Sequence, residues 1–291
     1  MNLPSAFLTR MQEMLGEEYE AFLQSYESGH YQSLRLNPRK TDREEFTEKS
    51  PFHLTPVAWE KNGFYYSEED TPGKHPYHEA GVYYIQEASA MAPVGYLDVQ
   101  PGDYVLDLCA APGGKSVAAA VQMRDQGCMI SCDIHENKWK RIRAGAERLG
   151  LTCISTRTMD ARRPDADLLG AMDVVLADVP CSGLGVIRKK PEIRFKDPTE
   201  LERLPAIQRD ILAGLAPCVK PGGVLVYSTC TVLARENEDV VRDFLRAHPE
   251  FSPEVFSLPL PGTDAADGMF TFWPQEHGTD GFFVCKLRRH E

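Results

Sequence analysis

From about residue 81 to the end of the chain, short apolar runs alternate with segments of helical periodicity. Apolar runs of this length are typical of buried strands, and strand–helix alternation is typical of a parallel sheet covered by helices on both faces. The predicted strands are 105–109, 129–134, 153–159, 172–179, 223–230, 269–273 and 281–287, with helices between most of them. No helix separates the last two, so one strand should run antiparallel. The pattern therefore predicts an α/β doubly wound sheet of seven strands, mostly parallel.

The first 80 residues follow a different pattern. Residues 1–30 are typical of two short helices, and 33–38 of a strand that ends at a proline. Residues 40–80 combine several prolines and glycines with short strands. We therefore expect a small N-terminal α/β module over residues 1–80 and a larger domain over residues 81–291.

Charge and cysteine content limit the function classes. The formal net charge of −11 does not favour nucleic-acid binding, unless basic residues gather on one face. No apolar run approaches the roughly 20 residues that span a bilayer, and the N-terminus does not resemble a signal peptide, so we expect a cytoplasmic protein. The eight cysteines follow no paired or metal-binding pattern, which predicts free thiols and no metal. The candidate basic clusters are Arg35, Arg39 and Lys40, and Arg188, Lys189, Lys190, Arg194 and Lys196.

The segment DLCAAPGGKS (107–116) lies where a predicted strand turns into a helix. Glycines there allow a ligand to approach the backbone, and the N–H groups of a helix start favour an anionic group. A P-loop would require a leading glycine where Cys109 stands, and a dinucleotide fingerprint is absent. The remaining interpretation is an S-adenosylmethionine site, in which Lys115 pairs with the methionine carboxylate.

Four carboxylates, Asp107, Asp133, Asp160 and Asp178, lie at or near the C-terminal ends of successive predicted strands. These ends meet at one edge of a doubly wound sheet, so the carboxylates predict a ligand crevice there. Asp133 follows the glycine turn by roughly 20 residues, the spacing at which an acidic side chain binds ribose hydroxyls. Asp160 is expected to contact the adenine edge.

Two cysteines follow adjacent strands, in DVPCSG (178–183) and YSTCT (227–231). A lone cysteine is usually a small core residue, but two in polar turns at one sheet edge favour covalent catalysis. A thiolate of depressed pKa can add to carbon 6 of a cytosine that has left its stack, which makes carbon 5 nucleophilic toward a methyl donor. Asp178 is the candidate for the hydrogen bond to ring nitrogen 3 or the exocyclic amine. These residues alone leave open whether Cys181 or Cys230 attacks.

The segments DLCAAPGGKS, DVPCSGLGVIRKKPEIRF, YSTCTVLARENEDVV and GFFVCKL, in this order and spacing, resemble the RsmB/RsmF/Sun group of RNA cytosine-5 methyltransferases. The segment GKHPYHEAGVYYIQEASAM (73–91) looks most like the RsmF branch, which modifies small-subunit ribosomal RNA. The resemblance implies a Rossmann-like class I S-adenosylmethionine-dependent fold. It also implies that Cys230 is the nucleophile and that Cys181 assists breakdown of the covalent intermediate. The implied cofactor contacts are Cys109, Ala110, Ala111, Pro112, Gly113, Gly114, Lys115, Asp133, Asp160 and Asp178.

The same resemblance implies an RNA partner of the small ribosomal subunit, and we expect the N-terminal module to bind or position this RNA. We also expect no membrane association and a monomer. RsmF-type proteins usually continue into an RNA-binding extension, whereas this chain ends at Glu291. We therefore expect either a truncated form or a short form that relies on its N-terminal module. A transfer RNA target and a catalytically idle assembly factor are the alternatives, although an idle factor would need neither thiol. Glu236, Asn237 and Glu238 are interpreted as caps of the following helix, and a role in holding the turn of the second cysteine is the alternative.

Overall fold

The computed structural model describes residues 3–27, 31–110, 112–260 and 264–291. Its N-terminal part contains a four-stranded antiparallel sheet in the order β2-β3-β1-β4. The fourth strand lies beyond the expected boundary at residue 80, so the sheet of this module extends to Ile85. The helices are α1 (Ser5–Leu15), α2 (Tyr19–Ser25), α3 (Arg43–Lys49) and α4 (Pro76–Glu79), and the strands are β1 (Gln32–Leu36), β2 (Leu54–Pro56), β3 (Gly63–Tyr66) and β4 (Tyr83–Ile85).

The larger part of the chain forms a sheet with helices on both faces. Its strands are β5 (Tyr104–Leu108), β6 (Cys128–Asp133), β7 (Ile154–Thr158), β8 (Met172–Asp178), β9 (Val219–Thr229), β10 (Phe251–Pro253), then, after the separate β11 (Phe256–Ser257) and β12 (Asp264–Ala265) pair, β13 (Met269–Phe272) and β14 (Phe282–Arg289). The helices are α5 (Ala92–Gly95), α6 (Gly114–Gln122), α7 (Glu136–Leu149), α8 (Pro198–Leu215), α9 (Glu238–Ala247) and α10 (Pro274–His277).

The sheet has the order β10-β14-β9-β8-β5-β6-β7, and β13 also pairs with β14. Strands β5 to β9 are mutually parallel, and β14 runs antiparallel to β9. Both β10 and β13 pair antiparallel with the outer edge of β14, so they run in the direction of the central strands. The predicted doubly wound α/β fold with one antiparallel strand is confirmed. Within the described residues this sheet has eight strands rather than seven, because β10 and β13 both pair with the outer edge of β14.

Strand β8 shows why the central strands are continuous apolar runs. Val175 and Ala177 pack into the core on one face of the sheet, with side chains of α8 and α9. Val174 and Leu176 pack into the core on the other face, with side chains of α5 and α6. A strand buried on both faces has no polar side, so its sequence shows no alternation.

The first two helices support the loops at one edge of this sheet. Phe7 and Met11 of α1 and Phe22 of α2 lie in one apolar cluster with Ile193 and Val232, which belong to segments that follow β8 and β9. The N-terminal helices therefore help to fix the segments that follow the two candidate cysteines. None of the helices within the described ranges has the length and apolarity that crossing a bilayer requires.

Candidate active site

The predicted cofactor loop connects β5 to α6. Cys109 has φ 64° and Gly113 has φ 103°, so the chain twice enters the left-handed region in this short turn. That conformation is unfavourable for cysteine, and the loop is held to the neighbouring strand by a hydrogen bond from the Ala110 N–H to the Cys132 carbonyl (3.0 Å). Gly114 is the first residue of α6. Ala111 lies outside the described residues.

Three of the four predicted carboxylates line one cavity of about 690 Å³ at the C-terminal edge of the parallel strands. Asp133 ends β6, where its carboxylate accepts from the His135 N–H (3.0 Å), and Asp160 follows β7 and is paired with Arg162 (2.7 Å). Both line the cavity together with Cys109, Asp178, Cys181 and Cys230. Six of the predicted site residues therefore meet around one space.

Asp107 is the exception among the four strand-end carboxylates. Its side chain is fully buried beneath the loop and accepts a hydrogen bond from the Ser116 hydroxyl. Burial raises the pKa of Asp107 to about 7. It does not line the cavity, so it supports the loop from below.

The two candidate thiols are in contact, with 3.2 Å between the sulfur atoms of Cys181 and Cys230. The hydrogen bond from Cys181 lowers the pKa of Cys230, and Lys115 and Lys190 lower it further, against the opposing effects of burial and Asp178. The same hydrogen bond, together with burial, raises the pKa of Cys181 well above the ordinary thiol value. These directions favour Cys230 as the thiol that ionises first, and a thiolate at Cys230 makes Cys181 the donor of the pair.

Lys115 and Asp178 form an ion pair beside the thiols. The Lys115 ammonium lies 2.7 Å from one oxygen of Asp178, and the Ser228 hydroxyl donates to the other oxygen (2.7 Å). Burial lowers the pKa of Lys115, but the Asp178 carboxylate outweighs burial and the net pKa is raised. The predicted contact of Lys115 with a cofactor carboxylate stays a prediction, because its partner here is Asp178.

Glu236 and Asn237 hold the cysteine turns, which agrees with the alternative to their capping interpretation. Glu236 is fully buried and accepts from the Ser182 N–H (2.8 Å) and from the Gln208 amide (3.1 Å), which also reaches the Pro180 carbonyl (3.0 Å). Glu236 and Gln208 thus fix the residues on either side of Cys181. The signal is absent from the local sequence because the contacts join residues 28 and 54 positions apart.

Asn237 holds the turn that contains Cys230 in place. Its side chain accepts from the Thr229 hydroxyl (2.6 Å) and donates to the Thr231 carbonyl (3.0 Å), so it binds both neighbours of Cys230. It makes no side-chain cap bond at the start of α9, so the capping interpretation is wrong.

Replacement of Glu236 by alanine should destabilise the protein. It leaves the Ser182 N–H and the Gln208 amide without their shared buried acceptor, which should lower the free energy of unfolding by about 3 kcal/mol. Urea unfolding of the variant measures this, with the exposed Glu147→Ala as the matched control. Equal midpoints for the Glu236 and Glu147 variants would show that the buried network contributes no stability.

The two predicted basic clusters are only partly at the surface. Arg35 is buried in an ion pair with Glu60, and Arg188 is buried where it donates to the Ser25 carbonyl (2.8 Å) and Asp280 (3.3 Å). Both arginines are structural, so their prediction as surface cations is wrong.

Other members of the second cluster do reach the candidate site. Lys190 and Lys196 line the cavity of the cysteines, whereas Lys189 is exposed and lines a separate pocket with Tyr31 and Asp280. This part of the cluster can act on a ligand of the cavity.

Comparison with known proteins assigns the larger domain. Residues 94–288 match the family model for the 16S rRNA methyltransferases RsmB/F. The chain belongs to the RsmB/F family. Residues 3–88 match the N-terminal domain of 16S rRNA methyltransferase RsmF. Membership of the RsmB/F family confirms the resemblance, the methyltransferase fold and S-adenosylmethionine as cofactor.

Individual relatives of this RsmB/F chain are similar over nearly its whole length. A probable ribosomal RNA small subunit methyltransferase B of Bacillus subtilis is 39% identical, over 89% of this chain and 60% of its own. Ribosomal RNA small subunit methyltransferase F of Cronobacter sakazakii is 35% identical, over 99% of this chain and 63% of its own. The chain thus spans about three fifths of these relatives. A methyltransferase homolog protein from Pyrococcus horikoshii superposes with a TM-score of 0.83 at 28% identity, covering 98% of this chain and 94% of that one.

Proposed function

We propose that this chain is an RNA cytosine-5 methyltransferase that acts on small-subunit ribosomal RNA through a covalent cysteine adduct. The observation that carries the proposal is the contact of two sulfur atoms, 3.2 Å apart, in the cavity that the cofactor loop and the strand-end carboxylates share. A structural role or cofactor binding alone would not require two thiols in contact, one with a lowered pKa and the other with a raised pKa. Attack on a pyrimidine followed by release uses both.

The cavity residues fit S-adenosylmethionine. In this proposal the loop from Cys109 to Lys115 surrounds its methionine end, Asp133 accepts hydrogen bonds from the ribose hydroxyls, and Asp160 lies toward the adenine. When bound, the cofactor supplies a methyl group on a positively charged sulfur. A carboxylate at the end of β6, buried and facing the cavity, is a suitable acceptor for two hydroxyls.

Cys230 begins the reaction as a thiolate. Its sulfur forms a bond to carbon 6 of the cytosine, and the electron pair of the ring's C5=C6 bond becomes available at carbon 5. Carbon 5 takes the methyl group as the bond between that group and the donor sulfur breaks, which leaves the donor sulfur as a neutral thioether. Asp178 holds the base: with Lys115 and Ser228 bound to its oxygens it acts as an acceptor, suited to the exocyclic amine. The role of Asp178 as a donor to ring nitrogen 3 would require its protonation.

Release reverses the covalent bond. The proton leaves carbon 5 to a base, its electron pair re-forms the C5=C6 bond, and the bond between carbon 6 and the Cys230 sulfur breaks. Cys181 lies within hydrogen-bonding distance of that sulfur, at 3.2 Å. Its S–H stabilises the departing thiolate by donating to it, which accounts for a role in release.

The N-terminal module is part of the proposal as the segment that positions RNA. Its sheet extends to Ile85, so we place the division of the chain after this strand rather than at residue 80. Packing of α1 and α2 on the segments beyond β8 and β9 would transmit this positioning to the site.

Bisulfite sequencing of total RNA tests the function. Cells that carry the gene should protect at least one cytosine of small-subunit ribosomal RNA, and cells without it should lose that protection. Wild-type protein should restore it, and a Cys230→Ala variant should not. A protected position in transfer RNA would correct the target, and the absence of any changed position would overturn the proposed activity.

Replacement of Asp133 by alanine should weaken cofactor binding. Two hydrogen bonds to a charged acceptor are lost, so the Kd for S-adenosylmethionine should rise by about 10- to 100-fold. Calorimetry measures the change, with Asp165→Ala as control because that carboxylate pairs with Arg157 outside the cavity. Unchanged affinity in the Asp133 variant would remove this residue from the ribose role.

A further inference from the structure

Phe195 is the most exposed large apolar side chain among the described residues, at 82% of its full surface. The next in the same set is Val255 at 62%, and the others are less exposed. Single exposed apolar residues are common on protein surfaces. The position of Phe195 in the fold indicates which ligand its exposed ring could contact.

The segment around Phe195 is fixed on both sides of the exposed ring. Phe195 ends a 3₁₀ turn over Pro191–Phe195, in which Ile193 is buried in the apolar cluster of the N-terminal helices. On the other side, the Lys196 ammonium donates to the Ser182 carbonyl (2.8 Å), one residue beyond Cys181. The backbone on both sides of Phe195 is therefore held in place, so the exposure of the ring does not result from a loose loop.

The same anchors place Phe195 at the edge of the candidate active site. Lys190, Ile193 and Lys196 all line the cavity that contains Cys181 and Cys230. Phe195 lies between two of these lining residues in the chain but is not itself part of the lining. A ligand that leaves the cavity on this side would pass the aromatic ring.

The charge around the ring suits a polyanion. Residues 189–197 contain four basic residues and two acidic ones, in a chain whose net charge is −11, and the buried Arg188 is not among them. Of the acidic pair, Asp197 accepts from the Thr199 N–H (2.9 Å) at the start of α8, and Glu192 lines the cavity. The Arg194 guanidinium lies over the Phe195 ring, 5.4 Å from its centre. Aromatic faces beside cations are the combination that binds single-stranded nucleic acid.

We propose that Phe195 is a stacking site for a base that flanks the target cytosine, with Lys190 beside a neighbouring phosphate. This inference rests on the proposed RNA substrate and names one of its binding sites. A cytosine that turns into the cavity loses its stacking neighbours, so the adjacent base needs a new partner. Stacking on a phenyl ring accepts any base, so the site adds affinity without fixing the sequence.

Steady-state methylation and binding of a small-subunit ribosomal RNA transcript test the site. Phe195→Ala should raise the KM for RNA and the RNA Kd by about tenfold or more, with kcat and cofactor affinity nearly unchanged. Phe195→Tyr should restore the wild-type KM because it keeps the ring. Val255→Ala, which removes another exposed apolar side chain, should behave as wild type.

A second substrate localises the contact. A short single-stranded RNA with one cytosine is compared with the same RNA carrying an abasic residue beside that cytosine. The abasic residue should raise the KM of the wild type but add little to that of Phe195→Ala, since both changes remove one interaction. If the wild type methylates RNA and Phe195→Ala matches it in KM and Kd, the stacking site is wrong while the activity stands. If the wild type neither binds nor methylates RNA, the proposed function fails as well.

Discussion

A Cys230→Ala variant should lose methyl transfer, with kcat/KM lowered on the order of 10⁴-fold or more, the scale on which removal of a covalent nucleophile acts. Without the thiolate, carbon 5 of cytosine is not nucleophilic enough to take the methyl group. The lowered pKa of Cys230, caused first by the hydrogen bond from Cys181, makes it the better nucleophile of the pair. Transfer of tritiated methyl groups to RNA measures the loss.

The matched control removes a thiol elsewhere in the fold. Cys153 is a free cysteine outside the cavity, and Cys153→Ala should keep wild-type activity. The affinity of the Cys230 variant for S-adenosylmethionine should stay close to that of the wild type, because its side chain is assigned to the base. Activity within about tenfold of wild type would remove Cys230 from the attacking role.

A Cys181→Ala variant should form the covalent bond but fail to break it, so a protein–RNA adduct should accumulate during turnover. The reason is the loss of the hydrogen-bond donor that lies 3.2 Å from the leaving sulfur. A denaturing gel with labelled RNA should show a slow band for this variant and little for the wild type. Multiple-turnover rates should fall by about 100-fold or more, as expected for the loss of a group that assists bond breaking.

The double variant provides the control for this adduct. Cys181→Ala with Cys230→Ala should give no slow band, since no sulfur remains to bond carbon 6. Normal turnover by Cys181→Ala, together with an adduct in Cys230→Ala, would reverse the two roles.

The fold follows from the sequence because its central strands are buried on both faces. The run from Val174 to Ala177 is apolar throughout, and its alternate side chains fill two different cores. Short edge strands lack this signal: β10 has three residues and ends in Pro253, and its pairing with β14 depends on a distant partner. The topology also explains why both cysteines could be expected at one edge, since they follow neighbouring parallel strands.

The supporting contacts of the site could not be predicted in the same way. Glu236 and Gln208 come into contact only after α8 packs beside the end of β8. A local stretch of sequence therefore does not show that these two residues are partners. Clusters of basic residues in the sequence do not identify the RNA-binding surface either. Arg35 and Arg188 look like surface cations until their buried carboxylate partners are known. Pairing of thiols was predictable from strand order, whereas the groups that position them depend on long-range packing.

Mapping the covalent bond tests the central claim most directly. Small-subunit ribosomal RNA transcribed with 5-fluorocytidine has no proton to lose at the target carbon 5, so the wild-type enzyme should become trapped on it in the presence of S-adenosylmethionine. After nuclease and protease digestion, mass spectrometry should find a methylated fluorinated nucleotide on the peptide that contains Cys230. A nucleotide on the Cys181 peptide, or no adduct on either cysteine, would contradict the account.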